Sequence, residues 1–128
     1  MSERAYLAVS INNRTKVVLK VQNYELEAGT WKGVGDFPPV DVPPGGNGPA
    51  AFHCSAKEGT ASGIEGYVIY QMGEDPSTTI KITWWLLWGG SNDIKIEPSD
   101  PDISVSMKGW VGHGASESPV LTVHDERG

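Results

Sequence analysis

The sequence predicts an all-β protein, specifically a two-sheet antiparallel β-sandwich formed by residues 1–128 as a single domain. Apolar and polar residues alternate with a period of two along most of the chain, which is the pattern of half-buried strands. The 16 glycines and nine prolines are scattered and break the chain frequently, as expected for short strands joined by turns. No stretch keeps a helical period, which argues against a helical bundle.

The first half of the chain contains three predicted strands and one long loop. A strand at 6–12 ends in the polar break at 12–15, which predicts a hairpin turn into a second strand at 16–22. A short third strand is expected at 24–26. The proline- and glycine-rich segment at 33–49 is predicted to be a surface connection, with a binding loop as the second choice.

Strands resume after this loop, and their alternation predicts which side chains face inward. They are expected at 50–56, 67–72, 78–86, 94–97, 103–108 and 120–124. The predicted core consists of Leu7, Val9, Ile11, Val17, Leu19, Val21, Phe52, Ile69, Ile80, Ile82 and Trp84.

Three of the five tryptophans lie within residues 84–88, directly before a Gly-Gly turn signal. Trp84 continues the inward alternation of its strand, so core packing is favoured, whereas Trp85 falls on the opposite face. Trp88 meets the turn, where an indole suits a membrane–water interface because its body is apolar and its N–H is polar.

The two remaining tryptophans each leave two interpretations open. Trp31 borders the proline-rich loop and either packs on the core or offers a partly exposed ring to a ligand. Trp110 lies in a glycine-rich loop and is either exposed or a plug for one end of the sandwich.

Catalytic and metal chemistry receive no support from the sequence. Cys54 is the only cysteine, so no internal disulfide is expected, and its neighbour His53 points to the opposite face of a strand. We therefore predict a buried structural thiol, no metal, no cofactor and no enzymatic activity. The net charge of −6 disfavours nucleic acid as a partner and simple attraction to anionic lipid.

The start of the chain, Met1-Ser2-Glu3-Arg4, is charged and does not read as a signal peptide. The longest apolar run, residues 84–88, is far too short to cross a bilayer. We expect a cytoplasmic protein that is released or secreted by a non-classical route and then lies on a target membrane surface.

Four motifs, taken in order and spacing, resemble one known family. They are Asn12-Asn13-Arg14-Thr15, Gly29-Thr30-Trp31, residues 60–67 with Gly63, Glu65 and Gly66, and residues 84–92 with Trp84, Trp88 and Ser91-Asn92. Over roughly residues 3–124 the chain resembles the aegerolysins. Within them it is most similar to the bacterial branch that contains the small component of a binary insecticidal crystal toxin. Fungal ostreolysin-like proteins share the same order of motifs.

This resemblance implies an actinoporin-like sandwich that binds membrane lipid, typically of the sphingolipid and sterol class or ceramide phosphoethanolamine. It also implies a larger, separate partner that forms the pore. The chain departs from the family pattern where Trp85 replaces an aspartate and Leu87 a proline, and where Ala61 or Ser62 replaces a glutamate. These departures bear directly on which lipid headgroup is bound.

We therefore predict a non-enzymatic, toxin-like lipid-binding protein of cytolytic, haemolytic or insecticidal type. The sequence leaves open whether it forms a homo-oligomer. The candidate lipid-binding residues are Trp31, Glu65, Trp85, Trp88 and Trp110. The alternative is a carbohydrate-binding β-sandwich lectin whose exposed tryptophans stack on sugar rings. A third class is an interaction or storage module whose aromatic face is an oligomer interface.

Overall fold

Ten strands make up the regular structure of the part of the chain that the structure describes. The computed structural model describes residues 5–32, 39–46, 50–56, 63–86 and 91–127, and within these ranges it contains no helix. The strands are β1 (Tyr6–Asn13), β2 (Leu19–Ala28), β3 (Thr30–Lys32), β4 (Phe52–Ser55), β5 (Ile64–Met72), β6 (Asp75–Leu86), β7 (Asn92–Pro98), β8 (Ile103–Lys108), β9 (Ser116–Glu117) and β10 (Val120–Asp125).

The strands form two sheets, which confirms the predicted all-β sandwich. One sheet has the order β3-β4-β1-β10-β8, with the short β9 pairing the first residues of β1. The other has the order β2-β5-β6-β7 and is antiparallel throughout. The first sheet is mixed, because β1 runs parallel to both β9 and β10.

The predicted inward faces of β1 and β6 are confirmed. Leu7, Val9 and Ile11 on β1 are buried, as are Ile80, Ile82 and Trp84 on β6. Because successive strand residues point to opposite faces, these two sets face one another across the sandwich. Leu19 and Phe52 are also buried, as predicted, and Val21 is partly buried against the same core.

Two residues of the predicted core are not in it. Val17 is 38% exposed because it lies in a bend before β2, which begins only at Leu19. Ile69 lies on the outer face of β5, since its neighbours Val68 and Tyr70 are the ones that point inward. Both faces of β5 carry large apolar residues, so alternation alone did not reveal which face is buried.

The predicted hairpin between the first two strands is wrong, because β1 and β2 belong to different sheets. Asn13 shapes the corner between them. Its Oδ1 accepts hydrogen bonds from the backbone N–H and hydroxyl of Thr15, at 2.9 and 2.6 Å. Its Nδ2 donates to the carbonyls of Val17 and Val42, at 2.8 and 3.0 Å.

The two strands predicted at 16–22 and 24–26 belong to one strand, β2, which begins at Leu19, so residues 16–18 precede it. Its pairing with β5 shifts between Val21 and Asn23 and again between Leu26 and Ala28. A bulge of this kind adds one unpaired residue, after which the side chains that faced inward face outward. The alternating pattern in the sequence is therefore interrupted, and it predicted two strands where there is one.

Candidate functional site

One end of the sandwich brings together the candidate residues that the structure describes. Glu65 pairs with Trp85 where β5 begins and β6 ends. Trp31 lies in β3, opposite Cys54 of β4. The loop 109–114, which carries Trp110, reaches the same end because Asn92, directly after the β6–β7 connection, donates its backbone N–H to the carbonyl of Gly112 at 2.8 Å. We call this region the tryptophan end; it comprises residues 31, 65, 85, 91–92 and 109–114.

Gly29 allows the two sheets to approach at this end. Its φ is +106°, in the left-handed region that glycine adopts without steric strain. A Cβ at this position would lie 2.8 Å from the carbonyl oxygen of Ser55 and 3.2 Å from Cγ2 of Ile64. The ends of β2, β4 and β5 therefore meet closely around this residue.

Trp31 joins an aromatic cluster between the edges of the two sheets. Its ring lies edge-to-face with those of Tyr24, Phe52 and Trp84, at centroid distances of 5.7, 6.3 and 6.1 Å. Tyr24 lies on the edge strand β2 and Trp31 on the edge strand β3. Trp31 is only partly buried, so it packs on the core and still presents part of its surface to solvent.

Trp84 is a core residue, as predicted. Its side chain is 0% exposed and stacks on Phe52, with centroids 5.1 Å apart and planes inclined by 25°. Within the described part of the chain, its indole N–H has no hydrogen-bond partner. The full burial and the stack assign this residue to stability.

Trp85 lies on the outer face of the four-stranded sheet and forms a hydrogen bond with Glu65. Its Nε1 donates to Glu65 Oε1 at 2.9 Å across the β5–β6 pair. On the other side, β7 places Asp93 in register with Trp85. The indole is therefore flanked by two acidic residues in one cross-strand row. Glu65 therefore brings a carboxylate beside Trp85, the position at which aegerolysins usually have an aspartate.

The same outer face continues with a second polar and aromatic group. Lys81 Nζ lies 5.0 Å from the ring centroid of Tyr67, within the range of a cation–π contact. Asn23 Nδ2 donates to the hydroxyl of Tyr67 at 3.4 Å. This face therefore offers hydrogen-bonding groups as well as an aromatic surface.

Trp110 lies in a loop shaped by three glycines. Gly109, Gly112 and Gly114 have φ values of +86°, +90° and +93°. Trp110 is partly buried against the core, and the next residue, Val111, is 57% exposed. The two interpretations of Trp110 therefore combine, because its ring packs on one end of the sandwich and keeps part of its surface in solvent.

Glu117 is an important residue of this end that the sequence did not reveal. It is 1% exposed, and its carboxylate accepts hydrogen bonds from Val111 N, Gly112 N and Asn92 Nδ2. In the sequence it stands between two serines and before a proline, which is typical of a solvated turn. Its spacing from Asn92 gives no signal, because the contact depends on tertiary structure.

Trp88 lies outside the described residues, as do Leu87 and the positions Ala61 and Ser62. The described residues on either side of Trp88, Leu86 and Ser91, lie at the tryptophan end. The interfacial role of Trp88 stays a prediction.

Cys54 is a buried thiol, in agreement with the sequence. Its side chain is 0% exposed, and burial raises its pKa because the thiolate would lose its hydration. His53 faces the other way, with its Nδ1 3.1 Å from the Tyr6 hydroxyl.

Among the described residues there is no group of histidine, cysteine and acidic side chains that would hold a metal ion. No helix in the same ranges is long and apolar enough to cross a membrane.

Comparison with known proteins shows the fold. RahU, solved in complex with a Tris molecule, is 18% identical, with 94% of this chain and 95% of that chain covered and a TM-score of 0.77. The lipid-binding protein Nakanori is 13% identical, with 93% and 70% covered and a TM-score of 0.71. The Xerocomus chrysenteron lectin XCL is 12% identical, with 97% and 100% covered and a TM-score of 0.59. These neighbours are consistent with an aegerolysin-like fold. No family model matches the chain, and no curated protein matches it significantly.

Proposed function

We propose that this protein is a non-enzymatic membrane-lipid-binding protein that docks through its tryptophan end. The observation that carries the proposal is that Trp31, Trp85 and Trp110, each partly exposed, all lie at one end of the sandwich. An indole is suited to the headgroup region of a bilayer, since its apolar body and polar N–H match the two sides of the interface. A lipid-binding protein of similar fold, Nakanori, supports the proposal.

The row formed by Glu65, Trp85 and Asp93 provides the contact for a lipid headgroup. Two acidic residues beside an indole favour a cationic group, because the carboxylates attract it and the ring face adds a cation–π interaction. Phosphocholine and phosphoethanolamine headgroups carry such a group next to a phosphate. The net charge of −6 is compatible with these zwitterionic lipids. Together with the family resemblance, this favours sphingolipid- and sterol-containing membranes.

The resemblance to aegerolysins extends the proposal to a second component. In this scheme the chain recognises the membrane, and a larger protein that binds to it there forms the pore. The activity of the pair would be cytolytic or insecticidal, and the chain would reach its target by release or by a non-classical route.

Vesicle pelleting tests the proposal. The protein should pellet with vesicles of sphingomyelin and cholesterol more strongly than with phosphatidylcholine alone. Binding should persist from low to molar salt, because apolar insertion and short-range headgroup contacts are little screened. Trp85→Ala should weaken binding, whereas Val40→Ala, on an exposed valine outside the tryptophan end, should not. Loss of binding to neutral vesicles at high salt would contradict this mechanism.

A carbohydrate-binding function is the second candidate. Asn23, Tyr67 and Lys81 give the outer face of the four-stranded sheet an aromatic ring among hydrogen-bonding groups, as a sugar site requires. The similar fold of a fungal lectin supports it. Binding on a glycan array without binding to glycan-free vesicles would favour this function. A concentration-dependent mass without either activity would favour an oligomeric interaction module.

A further inference from the structure

Glu117 carries a carboxylate that is buried at the tryptophan end. It is 1% exposed, and no lysine or arginine among the described residues forms an ion pair with it. Removing a carboxylate from water is costly unless hydrogen bonds replace its hydration. The groups that donate hydrogen bonds to Glu117 therefore identify the segments of the chain that it holds in place.

Three N–H groups donate to Glu117. Its Oε1 accepts from Val111 N at 2.8 Å, and its Oε2 accepts from Gly112 N at 2.7 Å and from Asn92 Nδ2 at 2.9 Å. Hydrogen bonds to a charged acceptor are stronger than those between neutral groups. One carboxylate thus holds two consecutive residues of the loop 109–114 and the first residue of β7.

Further contacts join the same loop to β7. Asn92 donates its backbone N–H to Gly112 O at 2.8 Å, and its Nδ2 also donates to Gly114 O at 3.2 Å. Ser91 forms an isolated antiparallel bridge with His113. These contacts place Ser91-Asn92, a motif without an assigned role in the sequence, against the loop 109–114.

The loop 109–114 requires such a tie because of its glycines. Gly109, Gly112 and Gly114 would sample many backbone conformations if the loop were free, and ordering them costs conformational entropy. A Cβ built on Gly112 would lie 4.0 Å from the indole Nε1 of Trp110. The Trp110 indole therefore lies close to the residue that Glu117 holds.

We propose that Glu117 is a positioning residue for membrane binding. Through Val111 and Gly112 it holds the loop, and with it the Trp110 indole, in the arrangement that contacts lipid. Asn92 ties the start of β7 to the same carboxylate. This inference rests on the proposed function, because it assigns Trp110 a contact with the membrane.

Glu117→Gln tests the proposal with almost no change in shape. The new NH₂ group must face at least one N–H that now donates to the carboxylate, so at least one of the three hydrogen bonds is lost. Affinity for sphingomyelin–cholesterol vesicles should fall about tenfold, as expected for the loss of a hydrogen bond to a charged group. Glu97→Gln, on an exposed glutamate of β7, should leave the affinity unchanged.

A double-mutant comparison separates positioning from general stability. In a Trp110→Ala background, Glu117→Gln should cause no further loss of affinity, because the indole that it positions is absent. A purely structural role would reduce affinity equally in both backgrounds. Equal reductions, or wild-type affinity of Glu117→Gln, would overturn the proposal. If Glu117→Gln does not fold, Asn92→Ser, which removes one donor and keeps the carboxylate, takes its place.

Rescue provides a second readout. Asn92→Asp places a second carboxylate beside Glu117 and should weaken binding. In the double variant with Glu117→Gln, the new amide at position 117 donates to the new carboxylate at position 92, which reverses the direction of the original hydrogen bond. Part of the affinity for vesicles should then be recovered. A double variant that binds no better than Asn92→Asp alone would contradict the direct contact.

Amide hydrogen exchange without lipid distinguishes this proposal from the proposed function. Glu117→Gln should speed exchange at Val111 and Gly112. If the wild-type protein binds no vesicles, the proposed function is wrong and the role of Glu117 in binding is wrong with it, whatever the exchange rates. If the wild type binds and exchange at these amides does not change, Glu117 does not hold the loop.

Discussion

The indoles of Trp31 and Trp84 meet edge-to-face, with ring centroids 6.1 Å apart and planes inclined by 74°. A residue at the candidate binding site therefore packs directly on the largest fully buried side chain of the core. A substitution at Trp31 removes contacts with the core and should therefore change stability as well as binding. The two effects must be measured separately.

Trp84→Ala should lower the free energy of unfolding by about 3–5 kcal/mol, because it removes a fully buried indole and leaves a cavity. Trp31→Ala should cost less, about 1–3 kcal/mol, since that ring is partly exposed and loses mainly three edge-to-face contacts. Urea unfolding of both variants checks the order. A larger loss at Trp31 would contradict the assignment of Trp84 to the core.

Trp88→Ala should weaken vesicle binding more than it weakens the fold, with the reverse expected for Trp84→Ala. The expectation rests on the position of Trp88 beside Gly89-Gly90, where regular strand alternation need not continue. Thermal melts, vesicle binding and the shift of tryptophan emission on adding lipid provide the comparison. If Trp88→Ala melts as early as Trp84→Ala while its folded fraction binds normally, Trp88 is a core residue.

The Trp85–Glu65 hydrogen bond should contribute about 0.5–1.5 kcal/mol to stability, as measured by a double-mutant cycle of Trp85→Phe and Glu65→Gln. Both side chains are partly exposed, which keeps the value in this range. Lipid binding should fall in both single variants, since one loses the indole and the other the headgroup carboxylate. Independent, additive effects on stability would show that the bond is not formed in solution.

Cys54→Ser should leave lipid binding intact and cost at most about 1–2 kcal/mol of stability. The raised pKa of the buried thiol keeps it protonated, and the thiolate is the reactive form. Alkylation by iodoacetamide should accordingly be slow in the native protein and rapid in denaturant. Loss of binding at an unchanged melting temperature would reveal a functional role for this thiol.

Asp75 should make stability fall in acid. Hydrogen bonds from the side chains of Ser77 and Thr78, and from the Ser77 backbone, lower its pKa from 3.8 to about 2. Because the pKa is lower in the folded protein, its contribution is present above about pH 4 and is lost as the pH falls to 2. Asp75→Asn should therefore flatten the pH dependence of the urea midpoint in this window. A wild-type slope in the variant would contradict this.

The local pattern predicted much of the fold because alternation depends on each strand's own residues. It placed Leu7 and Val9 on β1, and Ile80 and Ile82 on β6, correctly in the core. It failed where both faces of a strand are apolar, as at Ile69. It also failed on the link from β1 to β2, since strand pairing is decided by contacts distant in sequence.

The candidate site was predicted in part for similar reasons. The motifs indicated Trp85 and Glu65 separately, and the structure shows them joined by a hydrogen bond. Glu117 and its contact with Asn92 had no sequence signal, because a buried acid and a solvated one look alike in a single chain. Only the packing of β9 against the start of β1 reveals that Glu117 is enclosed.

The pairing of β1 with β10 also constrains when the protein can fold during its synthesis. Ser10 pairs with Val120 and Asn13 with Val123, so the central strand β1 must await a partner that is synthesised after all the other described strands. By contrast, β5, β6 and β7 are consecutive along the chain and can pair as soon as they leave the ribosome. Until β10 has been synthesised, the edge of β1 that it will cover therefore stays unpaired, and an unpaired strand edge is a site at which chains can aggregate.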